Sequence, residues 1–223
     1  MGEPRTTLLQ AALRYAELGY PVFPCVPGGK VPLTPRGFHD ATTDPEVITA
    51  WWTRHRQANV AAPTGAPAFD VLDVDVRPTG SGWDALHEAR AAGLIDGWVR
   101  AVQTPSGGLH LHYPGTGQRN GTIRGRHVDF RGQGGYVLLP PSLGQTKAYS
   151  REYVTLDQRP GGRPLDWAGI VQLLDPPAPP LGDAARTAPA RSADDPTRWL
   201  AGHVARQPEG NRNNALFWAT HRA

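Results

Sequence analysis

The chain has 223 residues, 39% of them hydrophobic and 19% charged, with a net charge of +3, which suits one sizeable domain with a buried core plus an appendage. It contains no run of about eighteen apolar residues, which excludes a transmembrane helix, and its N-terminus lacks the apolar stretch and cleavage site of a secretory signal. Cys25 is the single cysteine, so an internal disulfide and a cysteine-rich zinc cluster are excluded within this chain, and a reducing, cytoplasmic location with no membrane partner is expected.

Thr7 and Gln10 have the spacing of a capping box, opening an apolar-striped helix over 8–18 that Gly19 ends. A short extended piece, Tyr20-Pro21-Val22-Phe23-Pro24, precedes a polar loop over 27–38 that carries Lys30 and Arg36. A second helix starts at Thr43-Asp44-Pro45-Glu46, where a cap, a first-turn proline and an acid agree, and runs through Trp51 and Trp52 to about residue 56. Strands follow at 59–62 and 70–76, then a helix over 81–92, capped by Ser81 and closed by Gly93. Segments 99–104 and 109–113 form a hairpin around Pro105-Ser106-Gly107-Gly108. Segments 127–131 and 136–139 form a second strand pair around Gly132-Gln133-Gly134-Gly135. A last strand covers 148–155, and Asp166 caps a helix to about 174. The organisation expected is therefore a folded domain over 1–175, a Pro/Ala-rich linker over 176–196 and a helical segment over 197–223. That segment ends at Ala223 within its helical pattern, as the start of an accessory domain that continues in a longer protein would.

Three segments carry chemistry. In Phe69-Asp70-Val71-Leu72-Asp73-Val74-Asp75-Val76, strand alternation puts Asp73 and Asp75 on one face while Leu72, Val74 and Val76 fill the core. Paired carboxylates on a rigid strand repel unless a cation sits between them, and Mg²⁺ or Mn²⁺ suits such oxygen donors. An Asp-x-Asp pair also occurs by chance on surface loops. In Ser106-Gly107-Gly108-Leu109-His110-Leu111-His112-Tyr113, His110 and His112 share a face beside a turn whose bare backbone can approach a phosphate. The two histidines read as metal ligands, as phosphate partners, or simply as the polar face of a hairpin. In Val128-Asp129-Phe130-Arg131-Gly132, Asp129 and Arg131 share a face, offering either a third carboxylate with a phosphate-gripping arginine or a structural ion pair.

In this order the segments resemble the three motifs of archaeo-eukaryotic-type primases. The closer resemblance is to the bifunctional DNA primase/polymerase (prim-pol) domain of plasmid, phage and actinobacterial replication proteins, over about residues 5–175. The flanks agree: Gly29-Lys30-Val31-Pro32-Leu33, Ala41-Thr42-Thr43-Asp44-Pro45 with Trp51-Trp52, and Leu139-Pro140-Pro141-Ser142. The resemblance implies an α+β fold with a primase-like core of the RNA-recognition-motif type, its largely antiparallel sheet flanked by helices, plus an N-terminal α/β portion and C-terminal helices. It implies template-directed nucleotidyl transfer, as DNA primase or DNA polymerase, with Asp73, Asp75 and Asp129 as catalytic ligands of Mg²⁺ or Mn²⁺. By the same resemblance His110 contacts the incoming nucleotide's phosphates. Arg131, Lys30, Ser106, Gly107 and Gly108 join it as nucleotide-binding candidates, and Arg124 and Arg126 are further basic candidates. His112 falls outside the motif. Expected partners are a single-stranded DNA template, ribo- or deoxyribonucleoside triphosphates and a helicase, in the same longer chain or in trans. The alternatives are another metal-dependent phosphate-transfer enzyme using Asp-x-Asp, and a non-catalytic DNA-binding replication module.

Overall fold

Alternation along the acidic segment decides the architecture, because each of its faces is buried against a different layer. The structure, a computed structural model, describes residues 6–145 and 150–176. In chain order it runs α1 (Leu8–Glu17), β1 (Phe23–Cys25), a 3₁₀ turn (Gly37–Asp40), α2 (Pro45–Arg54), β2 (Asn59–Pro63), β3 (Phe69–Val74), β4 (Val76–Arg77) and β5 (Gly80–Ser81). It continues α3 (Trp83–Ala91), β6 (Arg100–Gln103), β7 (Leu109–Pro114), β8 (Gly121–Ile123), β9 (Val128–Arg131), β10 (Tyr136–Leu138), β11 (Leu143–Gln145), β12 (Ser150–Glu152), β13 (Val154–Gln158) and α4 (Trp167–Leu174). A mixed α and β architecture with antiparallel sheets is what the sequence led us to expect.

The main sheet has six strands in the order β13-β6-β7-β3-β9-β8, every neighbouring pair antiparallel. On one face Leu72, Val74, Leu111, Val128 and Phe130 pack against Ala85, Leu86 and Ala89 of α3 and Ile170 and Leu174 of α4. Both helices therefore lie behind the sheet. On the other face Phe69 and Val71 meet α1, α2 and a three-stranded antiparallel sheet, β1-β2-β10, through Ala12, Ile48, Trp52, Val60 and Leu139. The N-terminal portion thus covers part of this second face, and Phe23, Cys25 and Leu138 pack against Val102 of β6.

The helix starts follow local chemistry. Thr7 and Gln10 form the expected capping box of α1, and Gly19 follows it at φ +82°. Asp44 caps α2 by accepting from the Glu46 and Val47 amides, and Asp166 caps α4 by accepting from Gly169. Ser81 does not cap α3. It lies in β5, and Gly82 takes the N-cap position because a Cβ there would come within 2.4 Å of the His127 carbonyl oxygen.

Two strand expectations need correction. The segments at 127–131 and 136–139 are strands but not partners: β9 pairs with β3 and β8, while β10 pairs with β2 in the smaller sheet. The turn over 132–135 carries the chain from one sheet to the other. The acidic strand expected over 70–76 stops at Val74, and Asp75 stands between β3 and the short β4–β5 hairpin, its amide donating to the His127 carbonyl. The strand expected over 148–155 falls partly outside the described residues, as do the linker beyond residue 176 and the helical segment over 197–223. No helix among the described residues is long and apolar enough to cross a membrane.

Candidate active site

Strand register, rather than sequence proximity, assembles the site. Asp73 of β3 stands opposite His110 of β7 on one side and Asp129 of β9 on the other. Val102 of β6 lies opposite His110, and Thr122 of β8 opposite Asp129, so one row crosses five strands of the sheet. Asp73 is 5% exposed and Asp129 7% exposed, a degree of burial that an unpaired carboxylate does not tolerate.

Asp75 joins this pair although it lies beyond the strand: ligand atoms of Asp73, Asp75 and Asp129 all fall within 4.8 Å of one another. Basic side chains ring the cluster. His110 Nε2 is 3.4 Å from Asp73 Oδ1. Arg131 Nη2 donates to Asp129 Oδ2 at 2.6 Å and lies 3.6 Å from Asp73 Oδ2. Arg77 donates to Asp75. Burial by itself raises the Asp73 carboxyl, but His110 beside it, with smaller contributions from Lys30 and Arg131, outweighs that and holds its pKa down at about 2.

A pocket of about 290 Å³ opens over these groups, lined by Gly28, Gly29, Lys30, Asp73, Asp75, Thr104, Pro105, Ser106, His110, Leu138, Gly144 and Tyr153. The loop expected to carry Lys30 therefore reaches the acidic end of the sheet. The Tyr136 hydroxyl fixes it by donating to the Lys30 carbonyl at 3.0 Å. Asp129 and Arg131 adjoin the pocket through Asp73.

The Ser106-Gly107-Gly108 turn divides in two. Ser106 lines the pocket, its hydroxyl 3.1 Å from that of Thr104. The Gly107 and Gly108 amides are already engaged, the first by the Thr104 carbonyl and the second by Thr104 Oγ1, each at 3.0 Å. Gly108 is required for another reason: a Cβ there would sit 2.2 Å from the Val74 carbonyl oxygen, so only glycine lets this turn lie against the end of β3.

Other candidates lie elsewhere. Arg126 is ion-paired with Glu88 of α3, behind the sheet. His112 is buried and stacked on Phe69 at 4.7 Å, outside the acidic pocket. Trp52 is a core residue whose indole donates to the Ala58 carbonyl, and Trp98 is covered by the Arg159 guanidinium at 3.7 Å.

Sequence reasoning missed Arg77, Thr104 and Tyr153. Arg77 carried a visible signal, a cation two residues after Asp75. Tyr153 carried none: it comes from the segment before β13, its ring 5.7 Å from that of His110, and burial followed by the nearby Asp73 and Asp75 charges pushes its phenol pKa up.

The donor set, three carboxylates without sulfur, suits hard divalent cations such as Mg²⁺ or Mn²⁺. Three anions this close repel one another, and Arg131, Arg77 and His110 provide only part of the compensation a divalent ion would give. No curated protein matches the chain. The sequence does match the family model described as Bifunctional DNA primase/polymerase, N-terminal, over residues 12–167, well over half of its length. That span contains every residue of the acidic cluster and its pocket. With the carboxylate cluster, the histidine strand and the whole six-stranded antiparallel sheet inside the matched region, the chain belongs to the bifunctional DNA primase/polymerase N-terminal family.

Proposed function

We propose that the protein catalyses template-directed nucleotidyl transfer on single-stranded DNA, with the acidic pocket as its active site. The observation that carries this reading is the convergence of Asp73, Asp75 and Asp129 to within 4.8 Å beside a pocket that also holds Lys30 and His110. A 3′-hydroxyl attacks the α-phosphate of a nucleoside triphosphate, the new ester bond forms, the bond to the β-phosphate breaks, and pyrophosphate leaves.

Asp73, Asp75 and Asp129 would hold the divalent ions of this family. Such ions, when bound, lower the pKa of the attacking hydroxyl and offset charge on the departing phosphates. The chain's own groups do the rest. Asp73, with its pKa near 2, stays ionised across the physiological range and keeps its place as a ligand. His110 orients Asp73 and presents its ring to the pocket. Lys30 and Ser106 line the same pocket, where a cation and a hydroxyl can grip the triphosphate. Arg131 neutralises the Asp73–Asp129 pair from the side of the sheet.

Primer synthesis and primer extension on single-stranded DNA test the reading, with ribo- and deoxyribonucleotides supplied separately. Metal-dependent incorporation that follows the template base, lost in Asp73→Ala and Asp129→Ala, is the expected result. Salt-dependent DNA binding without incorporation would instead make this a non-catalytic replication module. Turnover of a phosphate ester without a template would make it a different phosphate-transfer enzyme.

A further inference from the structure

A second pocket, about twice the volume of the acidic one, lies at the other end of the same sheet face. It measures about 570 Å³ and lies between α1, the start of β6 and β13, bounded by Tyr15, Tyr20, His112 and the Pro140-Pro141 pair. Three arginines line it, Arg14, Arg100 and Arg159, and no carboxylate does among the described residues.

Arg100 is the unusual member. It is 9% exposed, and no carboxylate lies within ion-pair distance of it among the described residues. Its guanidinium is packed over the rings of Tyr15 at 5.3 Å and Tyr20 at 5.9 Å. With its amide oxygen turned inward, Gln158 accepts from Arg100 Nε at 2.8 Å and Nη2 at 3.0 Å. These contacts fix the guanidinium without neutralising it. A buried cation held rigid and uncompensated is the arrangement an external anion completes. Beside it, directly across the β6–β7 ladder, stands His112, whose Nε2 is buried and without a partner. Arg14 on the exposed face of α1 and Arg159 at the end of β13 add charge at the rim, Arg159 while paired with Asp157 at 3.2 Å.

We propose that this pocket is a phosphate-binding site, distinct from the acidic pocket, built on Arg100 with Arg14 and Arg159 at its rim. Guanidinium groups match phosphate oxygens in pairs. The sources of that chemistry around such a protein are a nucleic-acid backbone, a free nucleotide and pyrophosphate. The site shares strands with the acidic pocket, most directly β7, where His110 lines one pocket and His112 the other, their rings 6.3 Å apart.

The test is a titration of the full chain in EDTA, so that no divalent ion recruits ligand to the carboxylates. Three probes are compared: pyrophosphate, dAMP and an eight-residue oligo(dT). At least one should bind, with affinity that weakens as salt rises. Arg14→Glu/Arg159→Glu, a change confined to the rim, should weaken it at least tenfold, whereas Lys30→Glu at the acidic pocket leaves it unchanged. Arg100→Gln should abolish it, its melting curve showing whether the fold survives. The probe held most tightly by the wild type identifies the source of the phosphate. Binding by none of the probes, binding indifferent to the rim reversal, or binding lost in Lys30→Glu would each overturn the proposal. Because the assay runs without metal, an inactive acidic site leaves its outcome untouched.

Discussion

Asp129 stands directly opposite Asp73 across the β3–β9 ladder, and one nitrogen of Arg131 bridges them, 2.6 Å from the former and 3.6 Å from the latter. Like charges directly opposite on antiparallel strands weaken a sheet. The six-stranded sheet therefore holds this pair against its own stability, and the arginine is a partial remedy that a divalent ion would complete.

Metal should accordingly stabilise the fold. Mn²⁺ at a hundred times its dissociation constant adds about 2.7 kcal/mol, on the order of several degrees in Tm for a domain of this size. In Asp129→Asn, one oxygen ligand and one negative charge are removed, and the shift should shrink to near zero. Thermal melts of both proteins with and without Mn²⁺ check this, and equal shifts would count against the cluster as a metal site.

The two glycines of the Ser106-Gly107-Gly108 turn should respond differently to alanine. At Gly108 a Cβ meets the Val74 carbonyl oxygen at 2.2 Å, at the end of the strand that positions Asp73 and Asp75. Gly108→Ala should cost about 3 kcal/mol and reduce activity beyond its effect on stability. Gly107 lies at φ +87° with nothing within 4 Å, so Gly107→Ala meets only backbone strain of about 1–2 kcal/mol. Denaturant melts of the pair distinguish close packing from conformational freedom.

These glycines also mark how far the sequence could be read. Side-chain alternation along β3, the capping residues Thr7, Asp44 and Asp166, and the β6–β7 hairpin all depend on neighbours in the chain, and each was legible. The partners of β9 and β10 were not, because strand periodicity says which face a residue takes but not which strand it meets. Asp75 joins the cluster with Asp73 as alternation expects, although β3 ends at Val74 and Asp75 lies just beyond it, its amide donating to the His127 carbonyl. Tyr153 comes from a distant segment, and nothing in its local sequence signals a place in the acidic pocket.

Lys30 is exposed at the pocket wall, where it contributes through charge rather than packing. Lys30→Ala should raise KM for the nucleotide about tenfold, the equivalent of roughly 1.4 kcal/mol, with kcat changed little. His110→Ala should lower kcat as well, because His110 also holds Asp73 ionised. Steady-state incorporation kinetics separate the two, and a fall confined to kcat in Lys30→Ala would contradict its assignment.

Asp70 points to the helix side of the sheet, fully buried, with Oδ2 accepting from the Thr116 amide and hydroxyl and Oδ1 unpartnered. Burial raises its pKa against those two hydrogen bonds. A carboxyl raised on folding stabilises the protein while protonated, and that contribution is lost as pH rises through the folded value. Asp70→Asn keeps the acceptor facing Thr116 and removes the charge. It should match or exceed the wild-type Tm at pH 7, with its advantage fading as pH falls toward the ordinary carboxylate value of about 4 and gone below it. Melts across that range check the sign.

The most direct measurement is incorporation of a labelled nucleotide opposite a defined template base by the wild type, Asp73→Asn, Asp129→Asn and the double variant. If the carboxylates act as one unit, each single change lowers the rate by about 10³ or more and the double falls little further, as groups acting together do. Near-wild-type incorporation by folded Asp129→Asn, or losses that simply multiply in the double, would contradict the account.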